Sequence, residues 1–297
     1  MSRRHLAVIG ATAVVVSATL LPQTIYLEKF RQLNAKYHWD QTEEPVKEKL
    51  QQRFKKVLSD LGIPEDKKFK LFHTYGYNVY HGGSHFTKKG AVVGVPIHFD
   101  YENVENINRD EVFIYDKPID WNKRAAKSFL NSLVLSENAQ KFAMAREIIK
   151  IQQDDPIIRL MHNVLHIGLV YVMYNVISTT MKLPTRQKGV RYLVNSAFIG
   201  GGILTWVGTI VSLSYESDVT SDKKVSDLGP DYTQGGKEFY EKLLNRNIAL
   251  RALLGEDGKR LFTANGNENY MIFRKSAPIF HRKSFFDAKL EDVQQLV

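Results

Sequence analysis

The sequence predicts an α+β soluble domain combined with α-helical membrane spans, namely an N-terminal span and a later helical hairpin. Three observations carry this reading. Leu160 to Met181 and Tyr192 to Tyr215 contain no charged residue, and each exceeds the roughly 20 residues that cross the hydrocarbon of a bilayer at about 1.5 Å per residue. The turn between them, 182–191, carries Lys182, Arg186, Lys188 and Arg191 and no acid, whereas Asp154, Asp155, Glu216 and Asp218 flank the pair. That polarity follows the positive-inside rule and sets the topology. Elsewhere the apolar residues switch between helical and alternating periods, as in a mixed domain.

Residues 1–27 come first. Arg3 and Arg4 precede an apolar run from Leu6 to Leu21, and no acid appears before Glu28. A cleaved signal, an amphipathic presequence and a retained anchor compete here. The run is longer than a signal core, lacks a small-x-small cleavage site and is apolar on every face, so it reads as a retained span. Topology agrees. With Arg3, Arg4 and the basic turn on one side, one crossing must lie before Asp154, and 1–27 supplies it. Residues 28–157 and 216–297 then share the other side.

In 28–157, Val46, Leu50, Phe54, Val57, Leu58 and Leu61 mark one face of a helix over 45–61, stopped by Gly62. Phe69–Leu71, Tyr75–Val79, Ala91–Val95 and Val112–Tyr115 read as short strands separated by glycines. Helices follow over 122–133 and, capped by Ser136, to Gln153, with Phe142, Ala145, Ile148, Ile149 and Gln152 as the inner stripe of the second. The hairpin occupies 158–215. The polar, acidic 216–234 reads as a linker. In 235–297 a helix runs from Gly236 to Leu254, Asp257-Gly258 turns into Leu261–Thr263, and Met271–Phe273 forms a last strand packing with 28–157. The tail past Ala277 reads as marginal, with its basic residues on the lipid surface.

Composition removes several functions. The chain has 297 residues, a net charge of +9 from 41 basic and 32 acidic side chains, and no Cys. Disulfides, thiolate metal sites and Cys nucleophiles are therefore excluded. The basic excess lacks interleaved aromatics, so the anionic neighbour it implies is the lipid bilayer and no nucleic acid.

His162 and His166 share one face of the first hairpin helix. Four-residue spacing can hold a metal or reach a haem, but no third ligand is evident, and a hydrogen bond to another helix or snorkelling to the interface is the commoner role of such residues. His81 and His85 flank Gly82-Gly83 in what reads as a loop. Ala197, Gly201, Thr205 and Gly208 form a small-residue face on the second hairpin helix, which packs either within the hairpin or on a partner's span. Asn175 and Asn195 offer interhelical hydrogen bonds. No catalytic residues and no cofactor are implied.

Several strings together resemble the transmembrane protein 177 family. They are Leu61-Gly62-Ile63-Pro64, Gly90–Pro96, Asp120-Trp121, Ala139–Ala143, Ala145-Arg146-Glu147, Glu238–Leu244, Ala249-Leu250-Arg251, Leu253–Gly255 and Asp257-Gly258. The resemblance implies a non-enzymatic, multi-pass protein of the mitochondrial inner membrane that acts in cytochrome c oxidase biogenesis. Its partners would be newly made subunit 2 and the chaperone that stabilises it, with the soluble regions in the intermembrane space. The residue-level alternative is a membrane-anchored metal or haem enzyme using His162 and His166.

Overall fold

The computed structural model describes residues 3–64, 68–105, 107–109, 112, 114, 119–153, 156–270 and 276–295. The predicted strand over Met271–Phe273, the acids Asp154 and Asp155, and half of the predicted strand over Val112–Tyr115 lie outside them. Val112 and Ile114 themselves are buried in the domain.

The first apolar run forms α1 (Arg3–Gln23), and the chain then turns into α2 (Leu27–Asn34). From Val8 on, α1 meets α2 at 68°. The span thus ends four residues before the expected boundary at Leu27. Leu27 is instead buried with Ala35, Phe72 and Val92 in a small core of its own, where packing on the sheet takes its apolar side chain out of water.

The periodic face predicted over 45–61 becomes α3 (Glu48–Asp60), with Leu50, Phe54 and Val57 buried. A three-stranded sheet follows: β1 (Phe69–Thr74), β2 (Tyr80–Gly83) and β3 (Ala91–Pro96), in the order β1-β3-β2. β3 pairs parallel with β1, placing Leu71 opposite Val93, and antiparallel with β2, placing His81 opposite Val93. All of β3 is buried, as befits a continuous apolar run in the centre of a sheet. Two expectations are corrected here. The second strand starts at Tyr80 rather than spanning Tyr75–Val79, since Gly76 adopts a φ of 85° and turns the chain. His81, read as a loop residue, lies on that strand.

α4 (Arg124–Leu133) and α5 (Glu137–Gln153) come next. Ser136 caps α5 as expected, its Oγ accepting from the Ala139 amide at 3.2 Å. α5 has no single inner stripe: every residue from Ala139 to Ile149 is buried. Gln152, assigned to the core, is exposed. The reason is position, since α3, the sheet, α8 (Pro230–Leu254) and the end of α7 (Lys188–Ser226) surround α5. Phe142 sits at the centre, 5.1 Å from Phe286, 5.6 Å from Tyr240 and 5.7 Å from Phe239 between ring centroids.

The hairpin is α6 (Pro156–Thr180) and α7, joined by a turn in which Lys182 takes a left-handed φ of 49°. Both helices are long and apolar enough to cross a membrane, and the bent N-terminal pair makes a third if counted as one span. α1 packs along α6, and α7 packs on α6 as well. The linker expected over 216–234 is not one. α7 runs unbroken to Ser226, about 58 Å at the α-helical rise, and α8 begins at Pro230. Asp218, Ser221, Asp222, Val225 and Ser226 are all buried, a helical spacing masked by polar composition.

The C-terminal part differs likewise. Glu256–Leu261 is a short helix, α9, where a hairpin turn was expected, and Phe262 makes only an isolated bridge to Glu268. The tail forms α10 (Ile279–Gln295), which packs on α8 with Phe286 and Arg282 buried, so it is core rather than lipid-surface decoration.

Candidate functional site

Two regions are candidates: the outer face of the hairpin, and a charged cavity where the hairpin enters the soluble domain.

Within the hairpin the helices meet through a polar and aromatic seam. Trp206 Nε1 donates to Asn163 Oδ1 at 3.0 Å, Tyr174 Oη donates to Asn195 Oδ1 at 2.9 Å, and the Tyr174 and Phe198 rings stack edge-on. His166 Nε2 lies 3.1 Å from the Gly202 carbonyl, and a Cβ at Gly202 would meet Val170 at 3.3 Å. Asn195, Phe198, Gly202 and Trp206 are thus the face of α7 that packs on α6. Asn195 makes the interhelical bond foreseen for it, whereas Asn175 Nδ2 donates to Tyr171 of its own helix. The face Ala197, Gly201, Thr205 and Gly208 points elsewhere. All four residues are exposed, and nothing lies within 4 Å of a Cβ built at Gly201 or Gly208. The basic residues Lys182, Arg186, Lys188 and Arg191 sit exposed at the far end of the hairpin. His162 is exposed while His166 is occupied by Gly202, and the described residues hold no group of three or more His, Asp or Glu able to bind a metal.

At the other end, α5, α7, α10 and β2 bring charge together out of water. Asp218 accepts from Arg146 Nη2 at 2.9 Å, from the Ala277 amide at 2.9 Å and from Lys150 Nζ at 2.5 Å, with Arg282 Nη1 at 3.3 Å. Asp222 accepts two bonds from Arg282, at 2.6 and 2.7 Å, and one from Tyr240 Oη at 2.7 Å. Arg282 also lies over the Tyr240 ring at 4.6 Å. Glu147 joins Arg146 at 3.0 Å and receives the imidazole of His81.

Burial by itself would raise the Glu147 pKa, but Arg146, His81 and Lys150 outweigh it and hold the carboxyl well below its ordinary range. Burial pushes Lys150 down, helped by Arg146 and opposed by Glu147 and Asp218. Tyr240 is driven well above a normal phenol by burial, which keeps it a neutral donor to Asp222. The sign for Glu147 is that of a depressed carboxyl. It stabilises the fold fully above the unfolded value of about 4.3 and loses that contribution as pH falls toward the folded value. The denaturant midpoint of the protein in micelles should therefore fall between about pH 5 and pH 3, and Glu147→Gln should lower it at neutral pH and flatten that acid slope. An unaltered slope would mean that Glu147 titrates normally.

The cluster borders a cavity of about 480 Å³ whose walls include Arg146, Lys150, Asp218 and Arg282, together with Arg159 of α6 and Ser214 and Ser217 of α7. Sequence reading missed it. Its trace is present as two four-residue steps, Arg146 to Lys150 and Asp218 to Asp222, but the second lay in a stretch whose polarity read as a linker.

These features define a class: a helical membrane protein whose hairpin continues, without a joint, into a mixed α+β domain. The family model for transmembrane protein 177 matches residues 69–295. The chain is 32% identical to transmembrane protein 177 of Homo sapiens over 259 residues, covering 87% of this chain and 81% of that one. It is 32% identical to the Danio rerio protein of the same name over 224 residues, 75% of this chain and 72% of that one. With the Xenopus laevis protein it shares 27% over 281 residues, 93% and 88% of the two chains. No solved structure matches. The chain belongs to the transmembrane protein 177 family.

Proposed function

We propose that this protein is a non-enzymatic assembly factor of the mitochondrial inner membrane that acts in cytochrome c oxidase biogenesis. In this reading it stabilises newly made subunit 2 together with its chaperone, and its soluble domain faces the intermembrane space. One observation carries it: the face of α7 formed by Ala197, Gly201, Thr205 and Gly208 is uncovered by the chain's own helices. Small residues at four-residue steps let a second helix approach closely, and they gain nothing from facing lipid. Leu165, Leu169, Leu193 and Ile203 extend an exposed apolar surface along both helices. The continuous α7 gives the domain a fixed position relative to whatever that face holds.

Purification in mild detergent should co-recover oxidase subunit 2 and its chaperone from mitochondria, and their absence rejects the proposal. Gly201→Leu should cut that recovery severalfold without lowering the thermal unfolding midpoint, because nothing in the chain lies within 4 Å of a Cβ there and the position is exposed. Undiminished recovery would remove the glycine face from the docking surface.

A further inference from the structure

The cavity at the base of the hairpin has a volume of about 480 Å³ and a charged lining. We propose that it takes a phosphate group, carried by a lipid headgroup or free in solution. This inference does not depend on the proposed role in oxidase assembly.

Three observations support it. The first is chemical. Arg146 is 8% exposed, yet its Nε has no hydrogen-bond partner, and the Oγ of Ser217 beside Asp218 is buried without one. Both residues line the cavity. Arg146 Nε faces Asp222 Oδ1 only at 3.7 Å, beyond hydrogen-bond reach; a buried guanidinium N–H can only donate, so a group that closes this gap is an acceptor. The second is charge. Among the described residues the lining carries Arg146, Lys150, Arg159, Lys242, Arg246 and Arg282 against the carboxylates Glu147, Asp218 and Glu268. Asp218 is already saturated by Arg146, Lys150, Arg282 and the Ala277 amide, so it does not compete for the space. Counting Asp222, which holds Arg282, six cations face four carboxylates, a formal surplus of two positive charges, and guanidinium N–H groups match phosphate oxygens.

The third observation is position. Arg159 sits one turn into α6, and Ser214 and Ser217 flank Tyr215 near the end of the apolar part of α7. This is the level of a membrane where aromatic belts and lipid phosphates lie. The volume falls within the range of about 300–1,000 Å³ that holds small ligands, far above the roughly 30 Å³ of a single water.

The test uses the full chain, purified in neutral detergent and measured by native mass spectrometry. Phosphatidic acid, phosphatidylcholine and inorganic phosphate serve as probes. The expected result is a saturable one-to-one adduct with a phosphate source. Ser217→Leu, which fills the cavity, should weaken it about tenfold or more, and Arg159→Gln at the exposed rim about threefold. Phosphatidic acid binding that millimolar inorganic phosphate leaves in place assigns the site to a headgroup; displacement by inorganic phosphate assigns it to the free anion. Absence of saturable binding to either source overturns the proposal, as does undiminished affinity in Ser217→Leu. Should Ser217→Leu fail to fold, undiminished affinity in Arg159→Gln overturns it equally, since that side chain is exposed. A failed recovery of oxidase subunit 2 leaves these outcomes untouched.

Discussion

Asp218→Ala should destabilise the soluble domain by about 3–5 kcal/mol, the usual cost of removing one partner from a buried ionic cluster. Asp218 is 1% exposed and joins Arg146, Lys150, Arg282 and the Ala277 amide. Without it, two cations of α5 and one of the C-terminal helix remain out of water with Glu147 and Asp222 alone. Desolvation of the remaining charge, more than the lost attraction, sets the size of the effect. Asp218→Asn should fall nearly as far, because an amide keeps the shape but neither neutralises Lys150 nor accepts from every donor. Asp227→Asn is the contrast: its partner Lys289 is 30% and Asp227 itself 59% exposed at the side chain, and exposed pairs contribute about 1 kcal/mol or less. Denaturant titration in micelles measures all three. Equal midpoints for Asp218→Ala and wild type would show the cluster to be solvated and its ion pairs marginal.

Gly235→Ala should be nearly as damaging, at about 1–3 kcal/mol or more, through overpacking rather than charge. A Cβ at Gly235 would stand 2.2 Å from the Asn138 carbonyl oxygen and 3.0 Å from the Ala139 amide nitrogen. These are backbone atoms of the first turn of α5, so no rotamer change relieves the contact. The α5–α8 pair must separate, and Phe142 would lose its close fit to Phe239, Tyr240 and Phe286. Gly201→Ala is the matched control, since nothing lies within 4 Å of its Cβ and alanine is the better helix former. A thermal unfolding midpoint that drops for Gly235→Ala and holds or rises for Gly201→Ala fulfils the prediction; equal midpoints would place α5 and α8 further apart than described.

The parts legible in sequence were those whose burial is apolar. The hairpin runs, the Leu50–Phe54–Val57 face and the continuous Ala91–Val95 strand all signal themselves by period or length, and all formed as expected. The expectations about the linker and the C-terminal tail failed because polar residues there are buried. Asp218, Ser221 and Asp222 repeat with helical spacing, but periodicity read on hydrophobicity is blind to a buried charged stripe. Arg282 failed in the same way, reading as a lipid-facing cation when its guanidinium lies against Asp222 and Tyr240. His81 was visible as a residue but not as a partner of Glu147, which is 66 positions away.

The sequence by itself marked the two uncharged hairpin runs and the basic turn between them, because long apolar runs and clustered basic residues are local, additive properties of the chain. It also determined the family, through strings that persist along the soluble part. Only the tertiary structure decided that α7 runs unbroken from the hairpin into the domain, which face of α7 is left uncovered, and where charge collects between α5, α7 and α10. Those depend on which side chains meet across long stretches of chain, and a buried ion pair is stable only once both partners, and the hydrogen bonds around them, are in place.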